Sequence, residues 1–248
     1  MPRLTGMLRI KNEARWIHSV LESALKVCEV LYVLDDHSTD DTADICRSFG
    51  ERLRLYISGF ASLDEARDKN WLLDVIGLSG AEWVLAIDGD ELLVDHEALH
   101  ALVASGASEC YALRVLYLWD RKDQVRTDGV YGRFWRPSLF RLRAGDTFRS
   151  TPNGGNFHCG NVPQQLLNRA QRSEVRLLHF GYMDARDRRR KFDWYTQHDP
   201  GNQVEDCYRH VIQGDPGGPA AELKLRHAGP LLLAPLGKLE PSSKGATA

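Results

Sequence analysis

The chain has 248 residues, of which 43% are hydrophobic and 27% are charged, and its formal net charge is −2 at pH 7. This composition is ordinary for a soluble globular protein and excludes wholesale disorder, and the small net charge gives no overall attraction to nucleic acid or to an anionic membrane. Five scattered cysteines without C-x-x-C spacing predict reduced thiols in a cytoplasmic protein.

Insertion into a membrane is not expected from the sequence. The N-terminal residues contain no signal-like hydrophobic region, and no apolar stretch approaches the roughly 18 to 20 residues that are needed to span a bilayer. We therefore expect no transmembrane segment, while peripheral contact with a membrane stays open.

Residues 1–80 repeat a pattern of buried strand, polar turn and helix. Apolar runs predict three strands, at residues 4–10, 30–34 and 53–58. Two of the helices that follow are expected to begin at capping boxes, formed by Ser38 with Asp41 and by Ser62 with Glu65. Strands that alternate with helices predict a mainly parallel sheet with helices on both faces.

A fourth apolar run, from Trp83 to Ile87, ends in Asp88-Gly89-Asp90-Glu91 and predicts a buried strand with carboxylates at its carboxyl end. Glycine lets the backbone bend and approach a ligand closely, and a set of oxygen ligands suits Mg²⁺ or Mn²⁺ rather than zinc. For any single D-x-D, a polar turn that closes a buried strand is the alternative.

The second predicted strand also ends in acids, Asp35-Asp36. Right-handed crossovers place the ends of parallel strands at the same edge of the sheet, where open α/β sheets bind ligands. The two acidic strand ends are therefore expected to converge on one crevice.

From residue 96 onward the pattern changes. A helix at 96–104, a strand at 110–119, a polar turn at 120–129 and a strand at 135–142 predict a smaller antiparallel element. The remaining predicted segments are loops at 144–163, a strand at 174–180, a basic helix at 187–197, irregular sequence after Gly214 and a frayed end at 241–248.

The order of these features resembles the family 2 glycosyltransferases with a GT-A fold. Four segments carry the resemblance, namely Asn12-Glu13, the run from Asp35 to Thr42, the run from Glu65 to Asn70 and the run from Asp88 to Glu91. It covers roughly the first hundred residues, and the later segment from His179 to Asp184 resembles the C-terminal part of one bacterial subgroup.

The resemblance implies transfer of a sugar, with inversion, from a nucleotide donor to an acceptor that the sequence does not identify. A UDP-sugar is the expected donor, and Mn²⁺ or Mg²⁺ would neutralise the diphosphate leaving group. In the same way the chain divides into a nucleotide-sugar-binding α/β half (1–105), an acceptor-side half with a segment that contacts the metal and the diphosphate (106–214) and an irregular tail (215–248).

The resemblance also assigns roles to individual residues. It places the metal on Asp88, Asp90 and His179, with a buried core histidine as the alternative for His179. It places the nucleotide and its diphosphate on a larger set: Asn12, Glu13, Asp36, Arg67, Asp68, Asp88, Arg188 and Lys191. For the basic run that contains Arg188 and Lys191, a solvated helix face is the alternative.

Inverting transfer needs a general base that takes the proton of the attacking acceptor. Asp128 is the first candidate and Asp120 the second, because both lie where the family builds its acceptor site. Glu91, beside the predicted metal, is the third candidate.

Two other functions stay open. One is a catalytically silent module that binds nucleotide sugars with the same fold. The other is a nucleotidyltransferase, which would need a glycine-rich phosphate loop after the first strand, and Lys11-Asn12-Glu13 is not one.

Overall fold

A computed structural model describes residues 2–150, 155–202, 204, 208–218 and 229–239. The chain forms two compact units, the first made of Met1–Arg114 and Trp135–Leu177 and the second of Val115–Phe134 and Leu178–Ala248. The predicted frayed end at 241–248 and residues 151–154 of the predicted loops lie outside the described residues. The functional halves expected from the resemblance stay a prediction.

The sheet of the first unit is built around β1 (Leu4–Ile10). β1 pairs in parallel with β2 (Val30–Asp35) on one side and with β4 (Trp83–Ala86) on the other, and β2 pairs in parallel with β3 (Leu53–Ile57). Six of the seven residues of β1 are buried, because the strand lies in the middle of the sheet, and the exception is Arg9. The carboxyl ends of β2 and β4 therefore lie at the same edge, one on each side of β1.

Antiparallel strands complete this unit. β8 (Trp135–Arg141) pairs with β4, and β6 (Cys110–Trp119) pairs with β8. A short strand, β5 (Glu91–Leu93), pairs with β9 (Gln171–His179). The predicted fold class, a mainly parallel central sheet flanked by helices with a smaller antiparallel element, is confirmed.

Among the described residues, four α-helices belong to the first unit and one to the second. They are α1 (Ile17–Ala24), α2 (Thr42–Arg47), α3 (Glu65–Gly77) and α4 (His96–Ser105), followed in the second unit by α5 (Ala185–His198). None of the helices in the described part of the chain has the length and apolar character required to cross a bilayer.

Both predicted capping boxes were wrong. Asp64 caps α3, because its carboxylate accepts the backbone N–H of Arg67 at 2.9 Å, while Ser62 binds the Arg67 side chain instead. At α2 the Oδ1 atom of Asp40 accepts the backbone N–H of Thr42 at 3.1 Å. Capping by Asp, Ser and Thr is chemically similar, so the sequence alone did not separate neighbouring candidates.

In the second unit, the segment predicted as a polar turn contains a strand. β7 (Arg121–Arg126) pairs antiparallel with the end of β6 and with β10 (Leu233–Pro235). The first three residues of β7 are exposed, so its charged side chains hid the strand pattern. The region after Gly214, predicted to be irregular, likewise contains β10.

A buried ion pair holds β7 in this unit. The guanidinium of Arg126 binds Asp128 through two hydrogen bonds of 2.7 and 2.9 Å, and both side chains are almost fully buried. Arg126 also donates to the carbonyl oxygen of His210 and to Oε1 of Gln213, each at 2.6 Å. The pair therefore ties β7 to the 3₁₀ turn Tyr208–Ile212 and the residue after it.

Replacing Arg126 with alanine should strongly destabilise the second unit. Asp128 would remain buried without its charge partner, which typically costs about 3–5 kcal/mol of unfolding free energy. Urea unfolding followed by circular dichroism measures this loss.

Arg121→Ala is the matched control, because Arg121 also pairs with an aspartate two residues later on the same strand, but at the surface. Exposed pairs contribute little, so this variant should unfold as the wild type does. Equal effects of the two substitutions would contradict the assigned role of the buried pair.

Candidate functional site

Acidic side chains gather at the carboxyl edge of the parallel sheet, as predicted. Asp36 follows β2 and is buried, and Asp88 follows β4 and is half exposed. Glu65 lies at the start of α3. Burial raises its pKa, Lys69 and Arg9 oppose the rise, and the charge of Asp88 adds to it. The edge therefore concentrates negative charge on both sides of β1.

Gly89 is required by close packing at this edge. Its φ is not in the left-handed region, but a Cβ atom would lie 2.9 Å from Cγ of Glu13 and 3.0 Å from Cγ2 of Ile10. The turn between Asp88 and Asp90 is thus pressed against the end of β1. The sequence suggested that glycine lets the backbone approach a ligand closely. In the structure, the backbone at Gly89 closely approaches Ile10 and Glu13 of the protein itself.

Arg9 links the predicted nucleotide residues Asp36 and Asp68. Its Nη2 atom donates to Asp36 at 2.8 Å and its Nε atom donates to Asp68 at 2.9 Å. Arg67 also binds Asp68, at 2.7 Å, and lies 4.0 Å from the ring centroid of Phe60. The structure therefore brings Asp36, Arg67 and Asp68 into one network.

The sequence patterns do not single out Arg9, although a signal is present. It is the only charged residue in the apolar run of β1, and a charge in a buried strand has to be paired. Burial alone would lower the pKa of Arg9, but the carboxylates of Glu65, Asp68 and Asp36 raise it. The guanidinium thus remains charged between the acids.

Asn12 and Glu13 connect the end of β1 to the loop after β2. Oδ1 of Asn12 accepts a hydrogen bond from the N–H of Thr39 at 2.7 Å, and the backbone N–H of Asn12 donates to the hydroxyl of Ser38 at 2.8 Å. The N–H of Glu13 donates to Thr42 at 2.8 Å. These bonds shape the two loops, and direct contact with a nucleotide stays a prediction.

The D-G-D segment is held by groups from distant parts of the chain. Arg136 of β8 donates to Oδ2 of Asp88 at 2.8 Å, and the side chain of Asn161 donates to Oδ1 at 3.3 Å. Asp90 is only 2% exposed. Asp88, which is 44% exposed, is therefore the more accessible of the two predicted metal ligands.

Glu91 completes this acidic segment. One of its oxygens accepts from Arg136 and from the N–H of Asp88, whereas Oε1 is buried and has no hydrogen-bond partner among the described residues. Burial raises the pKa of Glu91 to about 7; Arg136 opposes the rise, while Asp88 and Asp90 add to it. Burial and the charges of its two acidic neighbours thus disfavour the ionised form of Glu91.

The donor set at this segment suits a divalent cation that takes its remaining ligands from water and from substrate phosphates. Among the described residues, no group of three or more His, Cys, Asp or Glu side chains is arranged to hold a metal ion. Mg²⁺, however, is usually held by one or two carboxylates together with water and substrate phosphates. Asp88 and Asp90 match that requirement in number, and the concentration of carboxyl groups at this edge favours a cation.

His179 lies in the second unit and is buried among aromatic rings. Its ring centroid is 4.8 Å from those of Tyr117 and Tyr182. This is the packing expected of a core histidine, which was the alternative to a metal ligand. A role in metal binding stays a prediction.

Arg188, predicted to contact the diphosphate, is almost fully buried, with 2% of its side chain exposed. All three nitrogens of its guanidinium donate to the protein, to both oxygens of Asp215, to Asp120 and to the carbonyl oxygens of Tyr182 and Met183. These contacts fit a structural role in the second unit, and the solvated helix face does not describe Arg188. Contact with the diphosphate stays a prediction. Lys191 lies 5.8 Å from the ring centroid of Tyr182.

The candidate bases differ sharply in their surroundings. Asp128 accepts hydrogen bonds from Arg126 and from the N–H groups of Gly229 and Leu232. Burial alone would raise its pKa, but these bonds and the charge of Arg126 lower it. A carboxylate so occupied is a weak base, and its contacts fit a structural role.

Asp120 is more accessible. Its side chain is 51% exposed, Oδ1 accepts from Arg188 at 2.8 Å, and Oδ2 has no hydrogen bond to any residue that the structure describes. Its φ of 61° is uncommon for a residue other than glycine, and such strained conformations cluster at functional sites.

Besides Arg9, three further residues that hold the site were not predicted from the sequence: Lys69, Arg136 and Asn161. The ammonium group of Lys69 donates to the carbonyl oxygens of Cys159 and Gly160 and, at 2.9 Å, to Oδ1 of Asn161. Asn161 in turn reaches Asp88. The sequence offered no signal, because these contacts join segments far apart in the chain.

No protein-family model matches the sequence. Two uncharacterized proteins, one from Mycobacterium bovis and one from Mycobacterium tuberculosis, are each 25% identical to this chain over 218 residues. The match covers 80% of this chain and 51% of each relative. The chain therefore spans about half the length of the curated relatives it matches.

Solved structures of S. aureus TarS match most of this chain. TarS 1-349 superposes with a TM-score of 0.51 and 15% identity, and its complex with UDP with a TM-score of 0.52 and 14% identity. Each match covers 85% of this chain and 69% of TarS 1-349. The chain has the GT-A fold. At this level of identity the likeness establishes the GT-A architecture alone.

The contribution of Asp128 to stability should depend on pH in the acid range. Its pKa in the folded GT-A protein is lowered, so its contribution is complete above the unfolded-state value of about 3.9 and is lost as the pH falls through the folded-state value. The difference in unfolding free energy between wild type and Asp128→Asn should be constant above about pH 5 and should shrink as the pH falls below about 4.

Urea unfolding at a series of pH values measures this difference. Asp74→Asn, at an exposed position of α3, is the control and should show no such change. A difference for Asp128→Asn that is constant with pH would show that the ionised carboxylate is not what stabilises the fold.

Proposed function

We propose that the chain is a metal-dependent glycosyltransferase that transfers a sugar, with inversion, from a UDP-sugar to an acceptor. The observation that carries the proposal is the pairing of two acidic strand ends, at Asp36 and at Asp88 to Glu91, on either side of β1 in a GT-A sheet. The matched TarS structure is a complex with UDP, which supports a uridine nucleotide as the donor.

Asp36 is suited to recognise uracil. Its Oδ2 atom is held by Arg9 and by Lys11, at 2.8 and 3.4 Å, whereas Oδ1 has no hydrogen bond to any described residue. A fixed carboxylate with one available oxygen can accept the N3–H of uracil. Arg67, held against Asp68, lies in the same network and offers a guanidinium to the nucleotide.

Asp88 and Asp90 would hold Mn²⁺ or Mg²⁺, with the diphosphate and water as the other ligands. The bound cation would act as a Lewis acid that neutralises the charge of the leaving diphosphate. Asp88 is already oriented by Arg136 and Asn161, and Gly89 keeps the turn against β1. The chain therefore positions its ligands before the donor binds.

Asp120 is the base that the contacts favour. Attack by an acceptor hydroxyl requires a carboxylate that is open to substrate, oriented, and able to take a proton. The exposed Oδ2 of Asp120 satisfies the first condition and its bond to Arg188 the second. Asp128 is buried against Arg126, and Glu91 is fully buried.

Substituting either predicted metal ligand should weaken metal-dependent nucleotide binding. In titration calorimetry with UDP and Mn²⁺, Asp88→Asn and Asp90→Asn should each lose affinity by about tenfold or more, because a charged ligand of the cation is removed. Asp74→Asn on α3 is the matched control and should bind as the wild type does. Retained affinity in both ligand variants would reject the metal assignment, and absence of UDP binding in the wild type would reject the proposed donor.

Asp120→Asn should retain UDP binding and lose turnover by about 10²–10⁴-fold, the usual contribution of a general base. Asparagine tolerates the left-handed backbone conformation, so the fold should be preserved. Release of UDP from UDP-sugars in the presence of Mn²⁺ measures turnover.

The comparison is with Asp128→Asn, which should act through stability rather than through turnover of the folded enzyme. Loss of turnover only in Asp128→Asn, at full folding, would transfer the base to Asp128. If the wild type binds UDP with Mn²⁺ but turns over no donor, the chain is a silent binding module.

A further inference from the structure

Arg136 bridges two of the three acids in the D-G-D-E segment. Its Nη1 atom donates to Asp88 at 2.8 Å, its Nη2 atom donates to Glu91, and its Nε atom donates to Ser138 at 3.3 Å. β8 places it there, because this strand pairs antiparallel with β4, which leads into Asp88. The guanidinium is therefore fixed beside the predicted cation ligands.

The two bonds of this guanidinium are not equivalent. Glu91 is fully buried, and its other oxygen has no hydrogen-bond partner among the described residues, so its bond to Arg136 is difficult to give up. Asp88 is 44% exposed and is also bonded to Asn161, so its bond to Arg136 can be replaced by another cation. Arg136 can thus leave Asp88 and still be held by Glu91.

A divalent cation on Asp88 would repel a guanidinium that lies on the same carboxylate, since like charges at a few ångströms interact unfavourably. A diphosphate in turn offers paired oxygens that match the fork of an arginine. The nitrogen released from Asp88 would then have an anionic partner. Charge balance at the segment is kept in both states.

We propose that Arg136 competes with the divalent cation for Asp88 and, when cation and nucleoside diphosphate bind together, moves from Asp88 to the diphosphate while Glu91 retains it. This inference rests on the proposed function. Competition by Arg136 makes the cation bind weakly on its own. Cation and nucleotide bind cooperatively, because the cation displaces Arg136 from Asp88 and the diphosphate gives the displaced guanidinium a new partner. Arg136 is then a donor-binding residue as well as a positioning residue for Asp88.

The test measures binding of Mn²⁺ alone, by electron paramagnetic resonance of the free ion, to the wild type and to Arg136→Gln. Removal of the competing charge should tighten binding of Mn²⁺ alone by about tenfold. In saturating Mn²⁺, the same variant should bind UDP about tenfold more weakly in calorimetry, because a diphosphate contact is lost.

Arg141→Gln is the matched control. Arg141 lies at the exposed end of the same strand and loses the same charge, so both affinities should equal those of the wild type. Arg136→Lys keeps the charge but loses the fork; it should bind Mn²⁺ alone as weakly as the wild type and bind UDP less tightly. This variant also serves if circular dichroism shows that Arg136→Gln does not fold.

The outcomes separate the inference from the proposed function. If the wild type binds UDP with Mn²⁺ but Arg136→Gln binds Mn²⁺ alone no more tightly, the inference is overturned and the proposed function stands. If the wild type binds no UDP but Arg136→Gln binds Mn²⁺ more tightly, competition stands, and the diphosphate role and the proposed function fail. If neither protein binds Mn²⁺, either alone or in the presence of UDP, both are overturned.

Discussion

Repulsion among carboxylates at one edge of the parallel sheet is the constraint on which the first unit depends. The edge exists because β2 and β4 both lie beside β1 and end in acids. Arginines divide these acids into pairs: Arg9 lies between Asp36 and Asp68, and Arg136 lies between Asp88 and Glu91. Each pairing leaves one acidic oxygen without a hydrogen bond to any described residue, namely Oδ1 of Asp36 and Oε1 of Glu91. A polar nucleotide and a nearby cation would satisfy this remaining polarity.

The second unit also contains arginine–carboxylate pairs, but there they stabilise the fold. Arg126 and Arg188 are buried, and their donors are consumed by carboxylates and carbonyl oxygens of that unit. Such pairs add little net stability over apolar packing, but removing one partner is costly, so they specify one arrangement of the chain. The resemblance assigned Asp128 as a candidate base and Arg188 as a diphosphate contact. The ion pairs that these two residues form in the second unit fit structural roles instead.

Sequence patterns predicted what depends on local periodicity and failed where distant contacts decide. The strands β1, β2 and β4 follow from apolar runs, and the acids at their ends follow from parallel topology. β7 was missed because charged residues fill its exposed positions. Arg136 and Asn161 were missed because pairing of β8 with β4 and the loop held by Lys69 are tertiary features. Asp128 is buried and Asp120 is half exposed, and the sequence pattern does not indicate this difference between two aspartates eight positions apart.

The packing of Gly89 against β1 has a consequence for how this edge can vary in evolution. A Cβ atom at position 89 would lie so close to Ile10 and Glu13 that a larger residue there requires a smaller or displaced one at position 10 or 13. The segment that would carry the cation and the turn that begins α1 are therefore coupled in size. Covariation of these three positions among homologues would record a steric constraint, independent of any ligand.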